Sequence, residues 1–261
     1  MGLHLIRVKS INLITTIIKI SIKMIDLHTH ILPGIDDGAG SLEEALRMTQ
    51  ELYKQEVRMA VCTPHYDATK SSLQDFVERR SNAIALMKDS KITLISGSET
   101  TLNDYLFHYP ELSQLCIGNT RYLLVELPFS KKWEENVYGL LEKLLGYYNL
   151  IPVIAHIERY PAAKIATVRR LNGMGCLLQV NTASLLDKKS WYRAAVYMRH
   201  GLIDVLSSDC HNMSTRPPII TDAYEKVRLK LGSSYCNRYR NNAEDMIHGR
   251  ELRGKSVYIL Q

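Results

Sequence analysis

Short apolar segments of strand length alternate along the chain with longer amphipathic segments of helix length. Most strand candidates are continuously apolar, which is typical of parallel strands covered on both faces. They span residues 24–31, 59–66, 93–99, 122–128, 151–158, 176–182 and 203–211. The helix candidates span residues 41–56, 73–89, 133–148, 161–173, 184–200, 220–231 and 244–252. This alternation predicts βαβ units and an α/β fold, either as an open doubly wound sheet or as a closed barrel.

Residue types that commonly bind metals, histidine and the carboxylates, occur at the carboxyl ends of nearly all these strand candidates. They are His28 and His30, His65, Glu99, Glu126, His156, and Asp209 with His211, while Asp36 and Asp37 follow the first strand. A closed (β/α) barrel brings its strand ends together at one rim, whereas an open sheet spreads them along an edge. The pattern therefore favours the barrel. In each of the H-x-H and D-x-H pairs the two side chains point to the same side of their strand.

Each of these residues also has a simpler interpretation. Glu126 could be a paired buried carboxylate, Asp36 a turn residue before Gly38, and His65 a hydrogen-bonded core histidine. Only the joint pattern favours a metal site, because a cluster of buried imidazoles and carboxylates is costly without compensating charge. The four remaining histidines follow no strand, and we expect them on the surface or on helices: His4, His108, His200 and His248.

The ligand types restrict the metal. Histidine with carboxylate suits Mn²⁺, Fe²⁺ or Zn²⁺. Nine candidate ligands exceed the needs of one ion, so we expect two or three ions per chain, an arrangement used for phosphoester hydrolysis.

Composition adds little in favour of other partners. The net charge is +6, but residues 1–23 carry four of these charges, so the rest of the chain is near neutral and does not predict a nucleic-acid partner. The five cysteines are widely spaced, which favours a reducing compartment.

The apolar stretch 11–22 is too short to span a membrane. We expect residues 1–23 to be a poorly ordered extension or to precede a true start at Met24, with one domain over residues 24–261.

Several motifs resemble those of the PHP superfamily. They are HTHILPGIDDG (28–38), TPHY (63–66), GSE (97–99), VELPF (125–129), HIERY (156–160), LQVNTASL (178–185) and SSDCHN (207–212), followed by RPP (216–218). More narrowly, the first, fifth and seventh of them resemble the bacterial manganese-dependent tyrosine-protein phosphatases of the CpsB/CapC type, which belong to capsule and exopolysaccharide operons. The resemblance runs from Met24 to about the C-terminus and implies a distorted (β/α)7 TIM-like barrel, the PHP fold.

The resemblance also implies a ligand set and an activity. One ion would be held by His28, His30, Glu99 and Asp209, a second by Glu99, Glu126 and His156, and a third by Asp37, His65 and His211. Arg159 would bind phosphate, and Arg216 would assist it. The implied reaction is hydrolysis of phosphotyrosine by a metal-bridged hydroxide, with Mn²⁺ preferred and Fe²⁺, Zn²⁺, Co²⁺ or Mg²⁺ as alternatives. The implied substrate is an autophosphorylated bacterial tyrosine kinase that controls polysaccharide synthesis. This chain itself would act in the cytoplasm, without stable insertion into a membrane. The sequence does not determine the oligomeric state, and an oligomer is compatible with it.

Three other functions remain to be weighed. Cys210 and Arg216 form the C-x5-R spacing of cysteine-based tyrosine phosphatases, although CHNMSTR lacks the glycine that a phosphate-cradling loop needs. A PHP phosphoesterase acting on a small phosphomonoester such as histidinol phosphate is the main alternative. A metal-binding module without enzymatic activity is the third.

Overall fold

The computed structural model describes residues 24–252. Within these residues, nine strands alternate with eight α-helices and three short 3₁₀ helices. The strands are β1 (Met24–Thr29), β2 (Val57–Cys62), β3 (His65–Tyr66), β4 (Thr93–Ser96), β5 (Glu99–Thr101), β6 (Tyr122–Glu126), β7 (Ile151–Ile154), β8 (Leu177–Asn181) and β9 (Val205–Ser207). The helices are α1 (Leu42–Lys54), α2 (Leu73–Leu86), α3 (Glu135–Gly146), α4 (Ile165–Gly173), α5 (Thr182–Leu186), α6 (Lys188–Arg199), α7 (Thr221–Leu231) and α8 (Ser233–Ile247). Within residues 24–252 no helix is long and apolar enough to cross a membrane.

All strand pairs are parallel, which confirms the predicted α/β class. One sheet has the order β1-β2-β4 and the other the order β3-β5-β6-β7-β8-β9. Backbone bonds link the far ends of the two sheets, since Asp209 N donates to His28 O at 2.9 Å and His30 N donates to Cys210 O at 2.9 Å. The carboxyl ends of the first and last strands therefore lie side by side.

Two of the seven predicted strands are each divided into two. The segment 59–66 becomes β2 and β3, and the segment 93–99 becomes β4 and the start of β5. Pro64 lies in the first break and lacks the N–H that a continuous ladder needs. Gly97 lies in the second, where a Cβ would approach Val61 Cγ1 to 2.6 Å. The chain changes sheets at both breaks, so β3 and β5 pair with each other rather than with β2 and β4.

The helices follow the predicted order with two differences. The candidate over 184–200 is two helices, α5 and α6, because Asp187 ends the first and accepts a hydrogen bond from Ser190 N at 2.8 Å as the cap of the second. The short helix predicted over 244–252 is wrong, because α8 begins at Ser233, just after Gly232. Ser41 caps α1, because its Oγ accepts a hydrogen bond from Glu44 N at 3.2 Å.

A small apolar cluster joins the two sheets. It contains buried side chains from six strands, among them Leu27, Val61, Leu124, Val153, Leu177 and Val205. Ala243 and Met246 of α8 pack against these residues. A larger cluster fills the space between the strands and the surrounding helices. The strands are thus held on both sides, which fixes the positions of the polar residues at their carboxyl ends. The expected extension over residues 1–23 lies outside the described residues.

Candidate metal centre

The end of β1 places two imidazoles side by side. His28 and His30 are both fully buried, and their Nε2 atoms lie 3.1 Å apart. The opposite ring nitrogens are held by hydrogen bonds, since His28 Nδ1 lies 3.2 Å from Gln179 Oε1 and His30 Nδ1 lies 2.7 Å from Asp36 Oδ2. These acceptors favour a proton on each Nδ1, so that Nε2 of each ring would be the atom that binds a metal.

Glu99, the first residue of β5, lies at the middle of the cluster. Its Oε2 is 3.2 Å from His28 Nε2, 3.2 Å from His30 Nε2 and 3.2 Å from His65 Nδ1. Its Oε1 is 2.7 Å from His156 Nε2. Burial alone would raise the pKa of Glu99, but the charge of His28 and hydrogen bonds from the neighbouring imidazoles hold its pKa well below the usual value. The carboxylate is therefore ionised and shared among four ring nitrogens.

Asp209 supplies the second carboxylate, on the segment after β9. Its Oδ1 lies 3.2 Å from His28 Nε2 and 3.4 Å from His30 Nε2. Its Oδ2 receives Arg159 Nη1 at 3.3 Å and Arg216 Nη2 at 2.9 Å. Both guanidinium groups are partly exposed, so they meet at the solvent side of the buried cluster.

A third group of side chains lies nearer the surface. Asp37 Oδ1 is 3.3 Å from His65 Nε2 and 3.5 Å from His211 Nε2. The rings of His30 and His211 stack at 3.8 Å between centroids. His211 Nδ1 lies 3.0 Å from Asp209 O, so a proton on that nitrogen leaves Nε2 free to act as a ligand.

Glu126 and His156 complete the set of nine. Glu126 Oε1 lies 3.6 Å from His156 Nε2. Burial, followed by the charge of Glu99, raises the pKa of Glu126 to about 7. A nearby cation would relieve both effects, because it favours the charged form of a carboxyl group.

The donor atoms of this cluster fit metal ions. Three groups each have their donor atoms within 4.8 Å of one another: His28, His30, Glu99 and Asp209; His30, Asp37, His65 and His211; and His65, Glu99 and Glu126. Among the described residues, three buried atoms of this cluster lack a hydrogen-bond partner: His156 Nδ1, Asp209 Oδ1 and His211 Nε2. Buried polar atoms without partners are costly in an apolar interior, and bound cations would satisfy them.

The structure brings all nine predicted ligands and both predicted arginines into this one region. The grouping differs in detail from the one implied by the resemblance. His65 joins Glu99 and Glu126, and His30 belongs to two groups. The three other histidines in the described chain are exposed, as expected: His108, His200 and His248.

Sequence reasoning missed residues that hold the ligands in place. Gln179 Oε1 accepts from His156 N at 2.7 Å, and its Nε2 donates to Asn181 Oδ1 at 2.8 Å. Asn181 Nδ2 in turn donates to Asp209 Oδ2 at 2.6 Å. Two amide side chains within the wholly buried β8 segment LLQVN were the available signal. Asp36, considered as a turn residue, caps Gly38 N and also orients His30.

The glycine at position 38 is required by this loop. A Cβ there would meet His30 O at 2.1 Å and His30 Cβ at 2.7 Å. The loop of Asp36 and Asp37 therefore packs directly on the β1 end, which brings both carboxylates to the histidines.

Cys210 does not have the properties of a nucleophile. It is fully buried, and burial raises the pKa of its thiol well above the usual range. A phosphatase of the cysteine type needs an accessible thiolate. Arg216, the other residue of the C-x5-R spacing, is directed at Asp209. The structure thus argues against the cysteine-based alternative.

Comparisons with known proteins point in the same direction as this geometry. The model of a family described as "Capsular polysaccharide synthesis, CpsB/CapC" matches residues 24–248. The tyrosine-protein phosphatase CpsB of Streptococcus pneumoniae is 31% identical over 226 residues, which cover 80% of this chain and 92% of that protein. The tyrosine-protein phosphatase YwqE of Bacillus subtilis (strain 168) is 27% identical over 248 residues, covering 88% of this chain and 93% of that protein.

A solved structure is similar to this chain in its fold. It comes from the crystal structures of YwqE from Bacillus subtilis and CpsB from Streptococcus pneumoniae, described as unique metal-dependent tyrosine phosphatases. It matches with a TM-score of 0.79 and 26% identity, over 88% of this chain and 96% of that chain. The shared architecture is an α/β fold whose parallel sheet forms a half-barrel.

Proposed function

Because the chain belongs to the CpsB/CapC family of capsular polysaccharide synthesis, we propose that it is a metal-dependent protein-tyrosine phosphatase. The observation that carries the proposal is the position of Glu99, whose carboxylate contacts four imidazoles. Two arginines converge on Asp209, which contacts two of the same imidazoles. A buried polynuclear ligand set with guanidinium groups at its open side suits hydrolysis of a phosphomonoester.

The metal is proposed to be Mn²⁺, held as two or three ions. The first ion would be bound by His28, His30, Glu99 and Asp209. The others would be bound by Glu99 and Glu126 with His156 or His65, and by Asp37, His65 and His211. Metal ions at such a site lower the pKa of water and neutralise charge on phosphoryl oxygens. Because the ligands are imidazoles and carboxylates without a thiolate, they favour Mn²⁺, Fe²⁺ or Zn²⁺ over soft metals.

The two arginines bind and orient the phosphoryl group in this proposal. Arg159 and Arg216 both contact Asp209 Oδ2, so their remaining N–H groups are presented at one place beside the ligands. A guanidinium offers two parallel donors that match two phosphoryl oxygens, and it stays protonated at all relevant pH values. The buried side chains around Glu99 exclude bulk water below the substrate, which strengthens these charge interactions.

The substrate is proposed to be a phosphotyrosine protein, namely an autophosphorylated bacterial tyrosine kinase of capsular or exopolysaccharide synthesis. The family description and the names of the relatives support this choice. The reaction would then take place in the cytoplasm. We also propose that residues 24–261 form one domain and that its two sheets close into a distorted (β/α)7-type barrel. The Thr29–Cys210 bridge and the apolar cluster shared by both sheets support this closure.

The proposal is tested by metal analysis combined with hydrolysis of a phosphotyrosine peptide. We expect a purified protein that contains Mn²⁺ or Fe²⁺, that loses activity in chelator and recovers it when Mn²⁺ is added back. Glu99→Gln should lose metal and reduce kcat/KM by more than about 100-fold. Glu78→Gln, an exposed position on α2, is the matched control and should behave as the unmodified protein.

Two outcomes would contradict the proposal. Full activity after chelation, with metal removal verified by elemental analysis, would exclude metal-dependent hydrolysis. A kcat/KM for histidinol phosphate well above that for phosphotyrosine peptides would instead assign the site to small phosphomonoesters.

A further inference from the structure

An exposed aromatic ring lies beside the candidate metal ligands and is neither a ligand nor a phosphate-binding residue. Phe129 follows Glu126 by three residues and is 52% exposed. Its ring stacks on His156 at 5.8 Å between centroids, with an interplanar angle of 27°. The guanidinium carbon of Arg159 lies 5.4 Å from the centre of the same ring. Phe129 therefore contacts both a candidate ligand and a candidate phosphate-binding residue.

The ring is held in this position from behind. Tyr160, which is fully buried, packs against Phe129 at 4.7 Å, and Trp133 packs against Tyr160 at 5.3 Å. The backbone of the same loop is fixed by two hydrogen bonds. Leu127 N donates to the Tyr160 hydroxyl at 2.9 Å, and Trp133 Nε1 donates to Pro128 O at 2.8 Å. Phe129 is thus supported by Tyr160, while about half of its surface stays exposed next to Arg159.

An exposed phenylalanine is by itself unremarkable, since many apolar side chains lie on protein surfaces. The position of Phe129 is informative because Arg159 connects it to the phosphate. Arg159 contacts Asp209 on one side and the Phe129 ring on the other. A phosphoryl group bound by Arg159 therefore has its ester substituent close to the open part of the ring. Aromatic rings favour offset or edge-to-face contact with each other, which an alkyl group cannot reproduce.

Building on the proposed phosphatase function, we propose that Phe129 determines specificity for aryl over alkyl phosphomonoesters by stacking with the ring of phosphotyrosine. The contact is made to the bound substrate and is kept in the transition state, so its loss affects KM more than kcat. Stacking of this kind changes binding by about two- to tenfold.

The test compares each variant with the unmodified protein on two substrates, a phosphotyrosine peptide and an alkyl phosphomonoester, with metal content measured in parallel. Phe129→Leu keeps an apolar side chain and removes the aromatic ring. We expect its kcat/KM for the peptide to fall about two- to tenfold, mainly through KM, with a change below about twofold for the alkyl phosphate. Phe129→Trp should restore the peptide value. Tyr147→Leu is the matched control, because Tyr147 is an aromatic residue 79% exposed at the end of α3, and it should change neither substrate.

A binding measurement separates this inference from the proposed function. Benzylphosphonate and methylphosphonate are not hydrolysed, and their affinities are measured by calorimetry on the manganese-loaded protein. Phe129→Leu should weaken benzylphosphonate alone. An equal loss for both phosphonates, or for both substrates, would overturn the inference, because Phe129 would then act through His156 or through metal occupancy. An unmodified protein that hydrolyses no aryl phosphate would contradict the proposed function, while selective loss of benzylphosphonate would still support stacking.

Discussion

Replacing Gln179 by leucine is predicted to lower both the affinity for metal and the stability of the fold. Gln179 is fully buried in β8, and its side chain makes contacts with three groups. Its Oε1 accepts from His156 N and lies next to His28 Nδ1, and its Nε2 donates to Asn181 Oδ1. Since a backbone N–H can only donate, the bond from His156 N fixes which end of the amide carries the oxygen. That oxygen favours a proton on His28 Nδ1, which leaves Nε2 as the ring atom that would bind a metal beside Glu99.

The size of the effect follows from these contacts. Leucine is close in volume to glutamine, so no large cavity forms. The N–H of His156 is left buried without a partner, which costs about 1–3 kcal/mol. His28 and Asn181 each lose one hydrogen bond, worth about 1 kcal/mol apiece, while burial of the leucine side chain returns about 1–2 kcal/mol. We therefore expect the free energy of unfolding to fall by about 1–4 kcal/mol. For a domain of ordinary stability, about 5–15 kcal/mol, the protein still folds.

Metal affinity should fall together with this stability. Outer hydrogen-bond partners of ligating histidines are worth about 10- to 100-fold in metal affinity. Urea unfolding in chelator measures the stability of the metal-free protein, and titration with Mn²⁺ against a competing indicator measures affinity. Gln55→Leu is the matched control. Gln55 makes three backbone hydrogen bonds, to Pro218 O, Ile220 N and Thr221 N, rather than to any candidate ligand.

The expected outcome is therefore a difference between two variants. Both should be less stable than the unmodified protein, but only Gln179→Leu should bind Mn²⁺ more weakly. Unchanged manganese affinity in Gln179→Leu would show that His28 is oriented by other contacts. An equal weakening in both variants would show that affinity follows overall stability, and the argument from the His28 tautomer would fail.

Three further predictions concern the arginine and the thiols. Arg159→Lys should lower kcat/KM for a phosphotyrosine peptide by about 10- to 100-fold, because lysine lacks the paired donors of a guanidinium. Steady-state kinetics at unchanged metal content measure this change, and equal activity in the variant would show that Arg159 does not bind the phosphoryl group. Cys210→Ala should keep kcat within about twofold, and its inactivation with metal still bound would restore the cysteine mechanism. Burial raises the pKa of Cys62 and of Cys116 to about 12, above the unfolded value of 9.0, so the unfolded chain loses these protons first. The contribution of these thiols to the free energy of unfolding, measured with urea in chelator, should therefore be fully present below about pH 9 and decrease as the pH rises toward 12. The decrease should be less steep in Cys116→Ala, and an identical slope in that variant would contradict this explanation.

The sequence was sufficient for the order of elements and for the convergence of the ligands. Continuous apolar runs such as YLLVE are buried strands, and parallel strands direct their carboxyl ends to one edge. The sequence alone therefore places Glu99 and Glu126 near each other. The breaks between β2 and β3 and between β4 and β5 are not predicted, although Pro64 and Gly97 lie at them. The second break also involves a close approach of Gly97 to Val61, which is a tertiary feature.

The ligand residues themselves adopt backbone conformations that sequence patterns do not reveal. His156 has φ 34° and Asp209 has φ 54°, both in the left-handed region that residues with side chains rarely adopt. Each lies two residues after its strand and directs its side chain into the ligand cluster, His156 to Glu99 and Asp209 to His28. Such conformations cost energy, so they persist only where surrounding contacts determine them. At His156 the contact is the bond from its N–H to Gln179, and at Asp209 it is the bond from its N–H to His28 O. The same two bonds connect neighbouring strand ends, so the strained residues and the ligand cluster depend on one another, and local propensity alone cannot predict either.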